Sequence, residues 1–563
     1  MSKTKHAKGW ISTLALTVGF ATALAGCSGG TQTNNQQAQP AAQPATTQPA
    51  TPQEPAAPAT EQVLRTNNFT EPNNLNPNAA TDIYSSNVLL QIFEGLTRIN
   101  KDDKPENAMA QDIKVSDDLT TYTFTLRDAK WSNGDPVTAG DFEYAWKWVL
   151  DPKNGSEYAY MLYHLKNGEK VFKGELPMDQ LGVKVVDDKT LEVKLENPTP
   201  FFLELTAFST YYPVHSKTAM ANPDWSKDAG PAYITNGPFK LAEWKHKDKI
   251  VLEKNESYWD ANTVKLSKIE MHMITDTNTE LSMFEGGELD MAGAPVSSIP
   301  FDAMPELKEK GVLFIKPKAA TYWYEFNTTK KPFDNKKIRQ AFSKAIDRKS
   351  IVQNITQGGE LIATAIVPPT MFPENEQGLF KDNDVEEAKK LLAEGMKEAG
   401  YASIDKLPPI TLSYNTDDAQ AKIAQAVQDM WSKNLGVNVK LENQEWNAYY
   451  EGIKQGNYQV ARMGWTGDFN DPINFLEIFK TKDGNNHTNW ESKAYADLLN
   501  KSATEQDPAK RKAILQEAEK LFIDDMPVIP FYFRGSIYVK SPKLKDVVIS
   551  GMGNAQYKWA SFE

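Results

Sequence analysis

A single cysteine, Cys27, in 563 residues limits how this chain can hold a fold. Disulfides within the chain and thiolate metal clusters are excluded, so each lobe must be stabilised by its own core. Length makes that feasible: at roughly 100–200 residues per domain, two or three lobes are expected. Apolar residues at 40% can fill such cores, and some of the 13 tryptophans and 21 tyrosines are available to line a ligand cleft. The net charge of −12 argues against nucleic acid as a partner and against a broad grip on anionic lipid.

The cysteine stands at one particular place. Lys3, Lys5 and Lys8 precede an apolar stretch from Ile11 to Ala25, which reads as an export signal too short to span a membrane. The run Leu24-Ala25-Gly26-Cys27 resembles a bacterial lipobox, in which cleavage before the cysteine is followed by its acylation; the alternative is an ordinary signal with a chance cysteine. Residues 1–26 are thus expected to be a lipoprotein signal peptide. Residues 27–62, rich in Ala, Gln, Pro and Thr, are expected to be the lipidated cysteine and a disordered tether.

From Val63 the pattern is that of a mixed α/β body. Strands are predicted at 64–69, 122–126, 183–186, 191–195, 240–244, 250–253, 269–274, 322–327, 410–414, 437–441, 458–461, 528–532 and 537–539. Helices are predicted at 85–96 with Gly95 near its stop, at 335–347, 384–400, 417–435, 446–455 and 509–525. Thr138 with Asp141, and Asp384 with Glu387, read as capping pairs. No 20–50-residue period recurs, which excludes a solenoid.

One stretch concentrates ligand chemistry: Arg462, Gly464, Trp465, Gly467 and Asp468, followed by Pro472. Read as a loop after the 458–461 strand, it sets both charge signs and an aromatic plate among bare backbone, pieces that suit a small zwitterion. Asp468 has a plainer alternative, capping a helix that starts near Pro472. Arg462 has one too, in a structural ion pair. Catalytic motifs are missing: there is no phosphate-binding Gly-rich loop and no nucleophile elbow. Six histidines (His6, His164, His215, His246, His272 and His487) show no metal-ligand spacing. An enzyme is not expected, nor is a cofactor or metal.

Several blocks occur in an order that resembles the oligopeptide-binding proteins of ABC importers, the cluster C, family 5 extracellular solute-binding proteins. They are Ile92-Phe93-Glu94-Gly95-Leu96, Trp131-Ser132-Asn133-Gly134, Pro136 to Phe142, Thr235 to Phe239, Pro332-Phe333, Asn443 to Trp446 and the Arg462–Pro472 stretch. The resemblance implies a two-lobed, periplasmic-binding-protein-like α/β fold with an extra third domain. It also implies domain I at 63–93, 218–320 and 536–563, domain II at 94–217 and domain III at 321–535. A lipid-anchored monomer on the extracytoplasmic face of the cell membrane would bind short peptides in a closing cleft and deliver them to ABC permease subunits. The same scaffold could instead carry dipeptides, cell-wall or signalling peptides, or a metal chelate.

Carried onto this sequence, the resemblance implies that Asp468 meets the ligand's α-ammonium and that Arg462 can meet its C-terminus. Trp465, Trp446 and the domain II tyrosine Tyr158 would line the cleft. Backbone at Gly464 and Ile83 would pair with the peptide as an added strand. Thr81 and Gln420 replace an acid and a histidine that some members carry, which alters how each end of the ligand is held.

Overall fold

The computed structural model describes residues 62–482 and 484–563, so the expected signal, Cys27 and tether up to residue 61 lie outside the described residues. Gln62, placed at the end of the tether by the sequence, belongs to the folded body. Its amide donates to the Phe562 carbonyl (3.0 Å) and accepts from the Phe562 N–H (3.1 Å).

The first lobe opens with β1 (Val63–Asn67) and α1 (Ile83–Ile92), the latter capped by Asp82, which accepts from the Ser85 N–H at 2.8 Å. The helix ends before Gly95, whose role is close packing: a Cβ there would lie 2.2 Å from the Thr206 carbonyl oxygen. Strands β2 (Ala110–Val115), β3 (Thr121–Leu126), β4 (Val183–Asp187) and β5 (Thr190–Lys194) form an antiparallel sheet in the order β2-β3-β5-β4. Helix α2 (Ala139–Leu150) packs on it, and the Thr138 N–H donates to Asp141 (3.0 Å) as the capping pair predicts. Strands β6 (Phe239–Lys245), β7 (Lys249–Lys254) and β8 (Lys268–His272) complete a second sheet, β1-β8-β7-β6.

The other lobe is built on a mixed sheet ordered β9-β14-β10-β13-β11-β12. Its strands are β9 (Met291–Gly293), β10 (Leu313–Phe326), β11 (Ile410–Asn415), β12 (Val439–Gln444), β13 (Val460–Thr466) and β14 (Val528–Lys540). Helices α3 (Lys336–Lys344), α4 (Val385–Ala399) and α5 (Asp418–Leu435) cover one face through Ile338, Phe342, Leu392, Val427 and Trp431. Helices α6 (Trp446–Lys454), α7 (Lys493–Thr504) and α8 (Pro508–Asp525) follow. Asp384 does not close its predicted capping box; its carboxylate instead accepts from Lys381 Nζ at 3.2 Å.

Two departures from the sequence pattern shape the site. The strands predicted at 528–532 and 537–539 are one continuous strand, β14, and the 322–327 strand begins at Leu313. Their register slips between Pro317 and Thr321, opposite Gly535 and Phe533, a local irregularity that lets long paired strands bend. The Arg462 stretch is likewise no loop at its start. β13 runs through Gly464 and Trp465 to Thr466 because Gly464 fits against β10, where a Cβ would meet the Thr321 carbonyl oxygen at 2.7 Å.

Candidate functional site: a cleft with an acidic and a basic end

Antiparallel pairing of β13 with β10 sets Gly464 opposite Tyr322, Arg462 opposite Tyr324 and Trp465 opposite Thr321. Alternation along a strand then sorts the side chains. Arg462 shares a face with Tyr322, while Met463 and Trp465 point to the other, where both pack on the large core that includes Trp323.

Asp468 follows just beyond the strand. Its N–H donates to Asn474 Oδ1 (3.2 Å), and the same oxygen accepts from Trp465 Nε1 at 2.8 Å. Asn474 therefore fixes the acid and the aromatic plate together. The helix-capping alternative does not hold, since the Ile473 N–H donates to Asp471 (3.0 Å), and Asp471 is itself held by a two-pronged pair with Arg511 (2.7 and 2.9 Å). The Asp468 carboxylate accepts from the Tyr160 hydroxyl at 3.4 Å and from the Asn474 side chain, and among the described residues it forms no ion pair. Burial without a counter-charge pushes it up to about 6.

Tyr160 supplies the hydroxyl here. Tyr158 lies beside it, ring to ring at 5.7 Å, and packs on Phe208; burial, with Asp468 as a nearby negative charge, raises its hydroxyl. Phe201, from the same half of the chain, stacks flat on Phe469 at 4.6 Å. Two segments more than 250 residues apart in sequence thus meet at Asp468. A tyrosine two positions from the predicted one falls inside the 3₁₀ turn Glu157–His164, whose tighter period the sequence does not reveal.

The other end is cationic. The Arg462 and Arg534 guanidinium groups lie 5.2 and 5.4 Å from the centroid of Tyr322, which is stacked on Tyr532 at 4.8 Å. Arg462 Nε is buried with no hydrogen-bond partner, and among the described residues no carboxylate lies within ion-pair distance of either group. The ion-pair alternative for Arg462 is therefore not what the structure shows. Lys318 adds to this field; burial, with Arg534 as a like charge, pushes its amine down to about 8. Arg534 and Lys318 were not singled out by the sequence, because each sits in a strand remote from the motif.

Trp446, Arg462, Gly464, Trp465, Thr466 and Arg534 line one recess of about 160 Å³. Trp446 is 43% exposed and stacks on Tyr450. Gln420, at the start of α5, accepts from the Tyr322 hydroxyl at 2.5 Å. Ile83 sits in the first turn of α1, where its N–H is one of the free donors of a helix start. Among the described residues no His, Cys, Asp and Glu group is arranged to hold a metal ion, and no helix is long and apolar enough to cross a membrane.

Comparison with known proteins gives a consistent picture. Residues 104–487 match the family model for bacterial extracellular solute-binding proteins, family 5. The chain is 54% identical over 504 residues to the oligopeptide-binding protein OppA of Bacillus subtilis, covering 89% of this chain and 92% of that protein. It is 42% identical to the dipeptide-binding protein DppE of the same organism, over 89% of this chain and 92% of that one. Among solved structures, the murein tripeptide binding protein MppA of Escherichia coli superposes with a TM-score of 0.76 at 32% identity, covering 90% of this chain and 99% of that one. Listeria monocytogenes OppA bound to peptide gives 0.72 at 31%, over 90% and 99%.

Proposed function

The chain belongs to the bacterial extracellular solute-binding proteins of family 5, and from that premise we propose that it is a receptor for short peptides that hands them to an ABC importer. One observation carries the reading. A recessed carboxylate without a paired cation and two guanidinium groups with no carboxylate in ion-pair contact stand on either side of Trp465. A zwitterion laid along β13 supplies both missing partners.

Arg462 and Asp468 are separated by six residues, at most about 20 Å of extended chain, and the long arginine side chain shortens the gap. Three to five peptide residues fit that interval. Asp468 meets the α-ammonium, Arg462 with Arg534 the carboxylate, and backbone near Gly464 the peptide chain, a contact blind to sequence. An ammonium–carboxylate pair at about 4 Å gains ~1 kcal/mol in water but ~4 kcal/mol at an effective dielectric of 20, so closing the cleft strengthens the grip.

Closure is proposed to use β10 and β14. The boundaries of domain I (63–93, 218–320, 536–563) and domain III (321–535) fall where those two strands lose register, near Pro317–Thr321 and Gly535, with domain II at 94–217. Cys27 is proposed to carry the lipid that holds the receptor at the membrane, with residues 28–61 as its tether. The protein is proposed to act as a monomer without catalysis.

Titration calorimetry on protein stripped of carried-over ligand tests this. Heat with tri- to pentapeptides, lost on Asp468→Asn, is the expected result. No heat across such a library overturns it. Mass spectrometry of ligand released from freshly purified protein is expected to give peptides of mixed sequence; a metal chelate would move the cargo to another class.

A further inference from the structure

Phe201 stands at the head of a short helical turn of the first lobe, Phe202–Leu205, where its carbonyl accepts from the Glu204 and Leu205 N–H groups (3.0 and 3.2 Å). Its ring lies flat on Phe469 of the other lobe, with 4.6 Å between centroids and 9° between planes. The guanidinium of Arg511, on α8 of that same lobe, lies 5.8 Å from the Phe201 centroid. We propose that Phe201, with Phe469 and Arg511, is the latch of the cleft: a contact between the lobes that holds the closed form and sets how slowly a bound peptide leaves, without itself reading the peptide. The inference rests on the reading of the cleft as a closing peptide site.

Position separates this contact from the ligand. Neither Phe201 nor Arg511 lines any of the three recesses around Asp468, Trp465 and Arg462, and Phe469 alone of the three borders one. Within its own lobe Phe201 meets the ring of His164 edge-on at 5.2 Å, and it gives its flat face to Phe469. Both stacked rings are buried, 8% and 7% exposed. Parting the lobes would open two apolar faces to water and take the Arg511 guanidinium off its ring.

The receiving side is built in advance. Arg511 is fixed by its two-pronged pair with Asp471 (2.7 and 2.9 Å), and the Asp471 N–H donates to the Phe469 carbonyl at 3.0 Å. Ring, acid and guanidinium are thus one unit of the second lobe before the lobes meet, so little side-chain freedom is lost when Phe201 arrives. The other contact across the cleft described above, the Tyr160 hydroxyl on Asp468, differs in kind, because it shares an acid with the ligand's ammonium. A contact made in the closed form and blind to cargo shifts the open–closed balance by the same factor for every peptide. Encounter takes place with the lobes apart, so that factor falls on dissociation.

The test uses the full-length protein, its Phe201→Ala variant and two tetrapeptides of unrelated sequence, with association and dissociation followed by stopped-flow fluorescence. Dissociation of both peptides is expected to quicken by about tenfold, the scale of one lost ring stack and one lost cation–ring contact. Association should change by less than about twofold. Phe201→Leu, which keeps apolar bulk without a flat face, is expected to give about threefold on the same readout, and it carries the test if the alanine variant does not fold. Unchanged dissociation, or a loss confined to association, overturns the inference and leaves the peptide reading standing. A factor that differs between the two peptides also overturns it, since Phe201 would then be reading the ligand. If the unmodified protein binds neither peptide, the peptide reading falls, and small-angle scattering of the two proteins decides the latch. A larger radius of gyration for the variant upholds it, and an equal radius overturns it.

Discussion

The two ends of the cleft answer the same problem, a charge without a partner, in opposite ways. At the acidic end Asp468 sits among aromatic walls, and burial moves its carboxyl up to about 6. A proton can therefore relieve it. At the basic end Arg462 and Arg534 cannot shed charge at any ordinary pH, and they spread it over the Tyr322 ring and each other's surroundings. One end is adjustable and the other fixed. A ligand that carries both charges should thus be read with different sensitivities at its two termini.

The largest expected effect breaks the acidic end. Asp468→Asn leaves the shape and the Trp465–Asn474 bond in place but leaves the ligand's ammonium buried beside an amide. Truncating one partner of a buried charge pair costs about 2–5 kcal/mol, so peptide affinity by calorimetry should fall about 100-fold or more. Acetylating the peptide's N-terminus should cost the unmodified protein a similar factor and the variant almost nothing further. A full second loss would show that the ammonium is held elsewhere.

The basic end should give a smaller loss, since two guanidinium groups share the work. Arg534→Gln is expected to weaken peptides with a free C-terminus by about 10- to 30-fold, in line with a charge-assisted bond worth roughly 1.5–2 kcal/mol. The same change should leave C-terminally amidated peptides unaffected. An equal loss for both would make Arg534 a support for Tyr322 and not a ligand contact.

pH separates the ends directly. The α-amino group of a peptide stays charged up to about 7.7, and the guanidinium groups do not titrate, so between pH 4.5 and 7 the acidic end sets the slope. Affinity should be flat from about 7 down to about 6 and then drop close to tenfold per unit as Asp468 binds a proton. Asp468→Asn should abolish the slope. Glu204, pushed up to about 8 mainly by burial and by Asp471, titrates above this window, so it does not mimic the effect.

These contrasts also mark what the sequence could reveal. Amphipathic elements with strong caps were readable, as in α5, where Asp417 caps and Gly436 terminates, and in the alternating burial of β3. Asp468 was legible because its motif is local: arginine, glycine, tryptophan and acid within seven residues. Arg534, Lys318, Tyr160 and Phe201 were not, because sheet pairing and lobe contact bring them from distant segments. Gly464 was misread for a related reason. A glycine is a breaker by local propensity, yet here its missing side chain lets two backbones approach, so the strand continues. The capping of α4 failed similarly, since Lys381 competes for the Asp384 carboxylate.

The smallest effect sharpens the comparison most, because it should change sign. An aspartate whose pKa is near 3.9 when unfolded and about 6 when folded holds its proton more tightly in the native state. Stability of the ligand-stripped protein therefore declines as pH rises from about 4 to 6 and stays at the lower level above. Two units would be worth ~3 kcal/mol in a dry site, but the cleft admits water, so about half that is a fairer figure. Asp468→Asn carries no such liability. In a chain of this size its Tm without ligand at pH 7.5 should exceed that of the unmodified protein by about 1–3 °C, and the gap should close at pH 4. A saturating peptide reverses the order, because at 1,000 times Kd ligand adds ~4 kcal/mol to the protein that binds it and little to the one that does not. Differential scanning calorimetry at the two pH values, with and without peptide, reads all four cases. A variant less stable than the unmodified protein without ligand would mean that Asp468 is held by the fold for structure, and the acidic end would lose its claim to be poised for a cation.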